Sequence, residues 1–187
     1  MKLQIKTVLV SLLVLLAAGC STFPPEPIVD YNPDYNFSGI KTYRIVHDES
    51  VNSMTLEGAR IEKAIKNEMA MKGIQEVAGG EDMQLRFMLV LKEKQDIQTY
   101  DRFYGGGFYN CWRCGYGGFA TTDIQVREYT EGQLVIDMVD PKLKRSIWHT
   151  VSTGRIKEKI TPQERDERIK AIVASMFSHF PPGNDTP

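Results

Sequence analysis

Two of the three cysteines in this chain sit in its strangest stretch, GGGFYNCWRCGYGG, from Gly105 to Gly118. Cys111 and Cys114 stand at Cys-x-x-Cys spacing, which admits a redox pair, half of a metal site or a staple across a loop. Thioredoxin-like chemistry wants the first cysteine at a helix N-terminus that lowers its pKa. Here Gly115 and Gly117 follow, and then strand-like sequence. A zinc site would need two more ligands, and His47, His149 and His179 show no ligand spacing. No metal or other cofactor is therefore expected. A disulfide is the preferred reading, with free thiols, a metal half-site and a redox pair as its competitors. Closing so small a ring stabilises by roughly 2 kcal/mol at most, enough to hold a loop but not a fold.

Other chemical signals are weaker. GYGGFA matches the letter of a dinucleotide fingerprint, but a strand follows it where a helix is required. Asp137 and Asp140 have the spacing of paired carboxylates; a solvated strand face and a turn residue account for them as well. His149 reads as a histidine on a sheet face. From Tyr100 to Phe119 lie eight of the 18 aromatics and six of the 15 glycines, so this stretch is no regular helix. Tyr104, Phe108, Tyr109, Trp112 and Tyr116 could form a rigid recognition surface, or pack down as a lid or sheet-edge cover. The formal net charge of −1 leaves no basic excess for phosphates, so nucleic acid is a poor partner.

The compartment follows from the N-terminus. Lys2 and Lys6 precede an apolar run from Thr7 to Gly19. At 1.5 Å per helical residue the run reaches about 20 Å, short of the ~30 Å hydrocarbon core, and reads as an export signal. It ends in LAAGC-ST, which resembles the lipobox of bacterial lipoproteins. That resemblance implies cleavage after residue 19, a diacylglyceryl group and further acylation on Cys20, and, with Ser21 next, an outer-membrane destination. Residues 20–34 contain Pro24, Pro25, Pro27 and Pro33 and read as anchor and tether, with ordered structure starting near Tyr31 to Phe37. Export would place Cys111 and Cys114 where disulfides persist.

The rest, residues 35–182, reads as one domain, with 183–187 a disordered tail. SGIKTYRIVHD is an expected strand. TLEGARIEKAIKNEMAMKG is an expected helix with Thr55 as cap, Gly73 as stop, and Leu56, Ile61, Ala64, Ile65 and Met69 on one face. MQLRFMLVLKEK alternates, with Met83, Leu85, Phe87, Leu89 and Leu91 pointing one way. TTDIQVREY and QLVIDMVD are expected as two strands joined by a TEGQ hairpin turn around Gly132. SIWHTVSTG is a fifth strand. TPQERDERIKAIVASMFSHFPP closes the chain as a helix with a Thr161–Glu164 capping box, Pro162 at its first position, and a stripe of Ile169, Ile172, Val173, Met176 and Phe180. The expectation is a two-layer α+β fold: a mainly antiparallel sheet of about five strands, with two amphipathic helices on one face.

VDYNPDYNFSGIKTYRIV, RIEKAIKNEMAMKG, YTEGQLVIDMVD and the closing FPP together make the chain resemble the bacterial lipoproteins containing domain of unknown function 4136 (DUF4136). The likeness runs from about Val29 to Pro182. It implies an α+β domain on a lipid anchor and carries over no catalytic residue. The expected function is a non-catalytic lipoprotein of the outer membrane, facing the periplasm. It would bind or assemble an envelope protein, lipid or glycan. The alternative is a periplasmic thiol–disulfide or metal-dependent enzyme using Cys111 and Cys114.

Overall fold

The computed structural model describes residues 24–47, 55–103 and 120–182, with backbone alone at 101–103 and 120–122. Strands β1 (Ile28–Tyr31) and β2 (Thr42–Ile45) precede helix α1 (Leu56–Met71). The short β3 (Gln75–Glu76), β4 (Met83–Phe103), β5 (Ala120–Asp140) and β6 (Arg145–Arg155) follow, and helix α2 (Pro162–Phe177) comes last. They form one six-stranded sheet in the order β1-β6-β5-β4-β2-β3. The β4–β5–β6–β1 half is antiparallel, and β2 runs parallel to both β3 and β4. The parallel half follows from the α1 crossover, since parallel neighbours cannot be joined by a tight turn. The expected α+β class, with two helices beside a mostly antiparallel sheet, is what forms.

Helix termini match their local signals. Thr55 Oγ1 accepts from Gly58 N at 3.0 Å, and Gly73, with φ 74°, takes the left-handed position after α1. At α2 the capping box is complete: Glu164 N donates to Thr161 Oγ1 at 3.2 Å, and Thr161 N to Glu164 Oε2 at 2.7 Å. The helices bury Ile61, Ala64, Ile65 and Met69 from α1, and Val173, Met176 and Phe177 from α2. Leu56, expected on that face, is 73% exposed because it begins the helix ahead of the packed turns. The sheet contributes Tyr43, Met83, Leu85, Ile136, Met138 and Trp148. A bulge between Met138 and Val139 leaves Ile147 without a partner in β5, so Ile147 and Trp148 are both buried.

Three expectations on the sheet need correction. First, TEGQ is not a turn: residues 120–140 are one strand, and Thr130, Glu131, Gly132 and Gln133 pair with Glu93, Lys92, Leu91 and Val90. Gly132 is not among the positive-φ glycines, so the backbone conformation of a glycine-dependent hairpin turn is absent. Second, β4 runs on to Phe103, past the Lys94 where the expected strand stops and beyond the Tyr100 taken as the start of a loop. Third, order begins inside the expected tether: Ile28–Tyr31 pair with Val151, Thr150, His149 and Trp148. Long-range pairing wins over a local turn signal at Gly132, over a fading alternation past Lys94, and over the prolines around Ile28–Tyr31. With β1 and β3 added and two expected strands fused into β5, the count is six.

β4 and β5 reach well past the sheet. β6 ends at Arg155 opposite Glu131, while β4 and β5 stay paired from Lys92–Glu131 to Phe103–Ala120. At about 3.3 Å per residue this two-stranded arm projects ~40 Å.

At the far end of the sheet, Glu81 is held by two donors. Arg44 Nη2 donates to its Oε1 at 2.7 Å and Gln84 Nε2 to the same atom at 2.9 Å. These bonds, Arg44 first, bring its carboxyl from an ordinary 4.5 down to about 2. A depressed carboxylate stabilises the fold above the unfolded pKa and loses that contribution as protonation sets in. Unfolding midpoints in urea should therefore fall as pH drops from about 4.5 towards 2, and Glu81→Gln should make that fall shallower. An unchanged slope in the variant would show that the ion pair is not what titrates.

Candidate functional site

The lipobox residue Cys20, the pair Cys111 and Cys114, and the aromatics Tyr104, Phe108, Tyr109, Trp112 and Tyr116 all lie outside the described residues. So does the tail from residue 183.

The remaining candidates do not come together as a catalytic group. His149 Nδ1 and Asp137 Oδ1 are 2.6 Å apart on the sheet face away from the helices, both half-exposed. In register they stand in a cross-strand row of Arg86, Asp137, His149 and Asp30, which contains no serine, threonine or cysteine. Asp140 is on the helix side and buried. It accepts from Tyr35 Oη at 2.9 Å and from the backbone N of Lys142 and Leu143 at 2.7 and 2.9 Å. Burial opposes its charge, but these bonds, led by Leu143 N, outweigh it and hold the carboxyl below the usual range. Burial and the Asp140 bond push Tyr35 up to about 12. The two aspartates thus serve a cross-strand pair and a turn. His47 lies 3.8 Å from Glu62. No group of three or more His, Cys, Asp or Glu able to hold a metal occurs among the described residues.

The concave site is elsewhere, at the root of the arm. Leu89 and Leu134 from the sheet, Ile61 from α1, Ile169 and Ile172 from α2, and Ile156 and Ile160 from the β6–α2 connection enclose an apolar cleft of about 100 Å³. Its origin is a cross-strand pair of glycines, Gly132 opposite Gly154, on the helix side of the sheet. Neither carries a side chain to fill the space between sheet and helices. A Cβ on Gly132 would lie 2.5 Å from Ile156 Cδ1, and one on Gly154 would meet Pro25 Cγ at 3.4 Å. Glycine in mid-strand here marks close approach, the signal that a turn reading of TEGQ overlooks. Pro25 brings the N-terminal segment to the cleft wall. The other determinants, Ile156 and Ile160, sit in a connection with no periodicity to announce them.

Charge at the mouth is mostly positive. Lys157, Arg165 and Arg168 line it with one carboxylate, Glu57. Glu57 Oε1 is 3.5 Å from both Arg60 Nη1 and Arg165 Nη1. Arg168 Nη2 donates to the Arg155 carbonyl at 3.1 Å. The Arg155 guanidinium turns away to Asp96, at 3.0 Å, and lies over the Tyr129 ring at 3.8 Å. Lys157 has no ion pair among the described residues. An apolar hollow rimmed by cations has the chemistry to accommodate an aliphatic chain that ends in an anionic head.

Comparison with known proteins gives a family and a fold. The model of the domain of unknown function DUF4136 matches residues 28–182. No curated protein matches significantly. The chain is similar in structure to a PDZ domain protein from Parabacteroides distasonis, with TM-score 0.56 at 15% identity over 85% of this chain; it spans 36% of that protein's length. It is also similar to two PelC dodecamer structures from Paraburkholderia phytofirmans, at TM-scores of 0.40 and 0.41 and 10% identity. Those alignments cover 80% of this chain and 96% and 95% of theirs.

Proposed function

The chain belongs to the DUF4136 family, and on that footing we propose a non-catalytic lipoprotein, anchored in the outer membrane through acylated Cys20, whose periplasmic domain binds an envelope component. The ligand class is a single-chain anionic amphiphile, taken tail-first into the cleft between Leu89, Leu134, Ile169 and Ile172. One observation carries this reading: among the described residues the one carboxylate that lines the cleft, Glu57, is already met by two arginines, while Lys157 and Arg168 make no ion pair and face an anionic head. The aliphatic walls supply the affinity, since each methylene taken out of water contributes about 0.8 kcal/mol.

Calorimetric titration of the Cys20→Ser protein, which cannot be acylated, tests it. Butyl phosphate should bind, and butyltrimethylammonium should bind more weakly. Removing the rim charges of exposed Lys157 and half-buried Arg168 with Lys157→Gln and Arg168→Gln should weaken butyl phosphate about two- to tenfold, the range for two solvent-screened pairs. No binding, or equal affinity for the two head groups, would sink the cleft reading. Mass spectrometry of the N-terminal peptide checks the anchor separately.

A further inference from the structure

We propose that the β4–β5 arm lies on the surface of the bilayer that anchors the chain, with Ile97, Ile124 and Val126 set into the lipid interface. The inference rests on the acylation of Cys20 proposed above and goes beyond it, from attachment to orientation.

The geometry is a comparison of two lengths that start at one level of the fold. Read backwards from Ile28, the chain runs along β6 towards its end, and at Pro25 it touches the level of Gly154. Gly154 pairs with Gly132, and Gly132 with Leu91, where the free arm begins. Tether and arm therefore leave from the same end of the sheet. Cys20 is five residues from Pro25, and an extended chain covers at most ~3.6 Å per residue, so acyl chains on Cys20 bring the bilayer surface within about 18 Å of Pro25. The arm extends about 40 Å from that level. An arm longer than its tether can reach the membrane from the root they share, and its apolar face decides that it does.

It cannot do so by crossing. A lone ribbon in hydrocarbon leaves both edges of N–H and C=O groups unpaired. The arm also lacks the apolar alternation of a barrel strand, since Glu93, Gln95, Glu128 and Thr130 interrupt the face that bears Ile97. Lying in the interface leaves the edges hydrated. The two faces are unequal in the way this needs. Ile97, Ile124 and Val126 share the distal part of the face continuous with the helix side, at 62%, 62% and 50% exposure. That is also the side on which Pro25 lies against the cleft. The opposite face bears no exposed aliphatic residue; beside Tyr100 and Tyr129 it is polar and internally paired, with Lys94 Nζ 2.7 Å from Glu131 and Arg155 held to Asp96. A two-stranded hairpin is marginal in water by itself; a lipid surface under the apolar residues supplies the missing side.

The test is photocrosslinking in native membranes, using the full chain with a benzophenone amino acid at position 97, 124 or 126, and at 96 or 125 as opposite-face controls. Phospholipid adducts are expected at the first three positions, several-fold above the controls. Inserting a twenty-residue Gly-Ser stretch between Cys20 and Pro24 should reduce those adducts several-fold, because a long tether no longer forces contact. The N-terminal peptide from the same samples reports acylation. Acylated Cys20 without phospholipid adducts, or with adducts to protein at 97, 124 and 126, overturns this inference alone. Bare Cys20 overturns both it and the anchor.

Discussion

Replacing Trp148 with alanine is expected to lower the stability of the domain by about 3–5 kcal/mol, the usual cost of emptying a buried aromatic site. Trp148 is fully buried, stacks on Phe177 with ring centres 5.7 Å apart and 20° between planes, and meets Phe180 edge-on at 5.3 Å. It thus joins β6 to the end of α2 and to Phe180, three residues beyond that end. Among the described residues its ring neighbours Phe177 and Phe180 are themselves buried, which limits how far the space can close. Against a total stability of about 5–15 kcal/mol for such a domain, that is a large share. Urea unfolding followed by far-UV circular dichroism reads it. Trp148→Phe is the informative control. The indole Nε1 is buried with no hydrogen-bond partner among the described residues, so phenylalanine removes an unsatisfied donor while keeping the ring, and should cost less than about 1.5 kcal/mol. Equal losses in the two variants would show that volume at this site is not what matters.

That junction was half legible in the sequence. The α2 stripe, the Thr161 cap and the strand around Trp148 are written in local patterns and form as read, except that the helix stops at Phe177 and Phe180, expected on its stripe, packs from beyond its end. Phe177 is buried although the stripe pattern does not mark it; it lies three residues before Phe180, and both pack on the same indole. The same division runs through the rest of the fold. β4 was readable as far as Lys94 because Met83, Leu85, Phe87 and Leu89 alternate against polar neighbours. Past Leu91, KEKQDIQTYDRF holds Ile97 as its one aliphatic residue among polar neighbours, and the period-two signal is too sparse to read. β1 was hidden by the prolines around it, since its strand character comes from pairing with β6 and not from Ile28–Tyr31 themselves.

The cleft was the least legible feature, for a related reason. Gly132 carries two incompatible local messages: a turn when read with Thr130 and Glu131, or a strand when read with Leu134 and Ile136. Only its partners, Leu91 on one side and Gly154 on the other, decide between them. They lie far away along the chain, beyond any window of local pattern. A glycine chosen for its missing side chain looks the same in sequence as one chosen for its backbone freedom.

The second large effect follows from that glycine. Gly132→Val is expected to abolish amphiphile binding, with at least a tenfold loss in the titration proposed above, while the domain stays folded. The backbone at Gly132 is an extended strand, which valine favours, so no conformational strain arises. The conflict is steric and local: the new Cβ would lie 2.5 Å from Ile156 Cδ1 and 3.2 Å from Cγ1, and 3.7 Å from Leu91 Cδ2. Ile156 is the side chain with room to move, and the room is the cleft it lines. Displaced inward, it would occupy a hollow of about 100 Å³, in which one aliphatic side chain and a ligand's tail cannot both fit. Overpacking of this kind costs about 1–3 kcal/mol, within what the domain can lose. The double variant Gly132→Val, Ile156→Ala settles the mechanism. Shortening Ile156 removes the displaced atoms, so binding should recover by several-fold over Gly132→Val alone, even though the chain now carries two changes. Recovery of stability without recovery of binding would mean that the cleft is a packing defect beside the arm and not the place where the ligand sits.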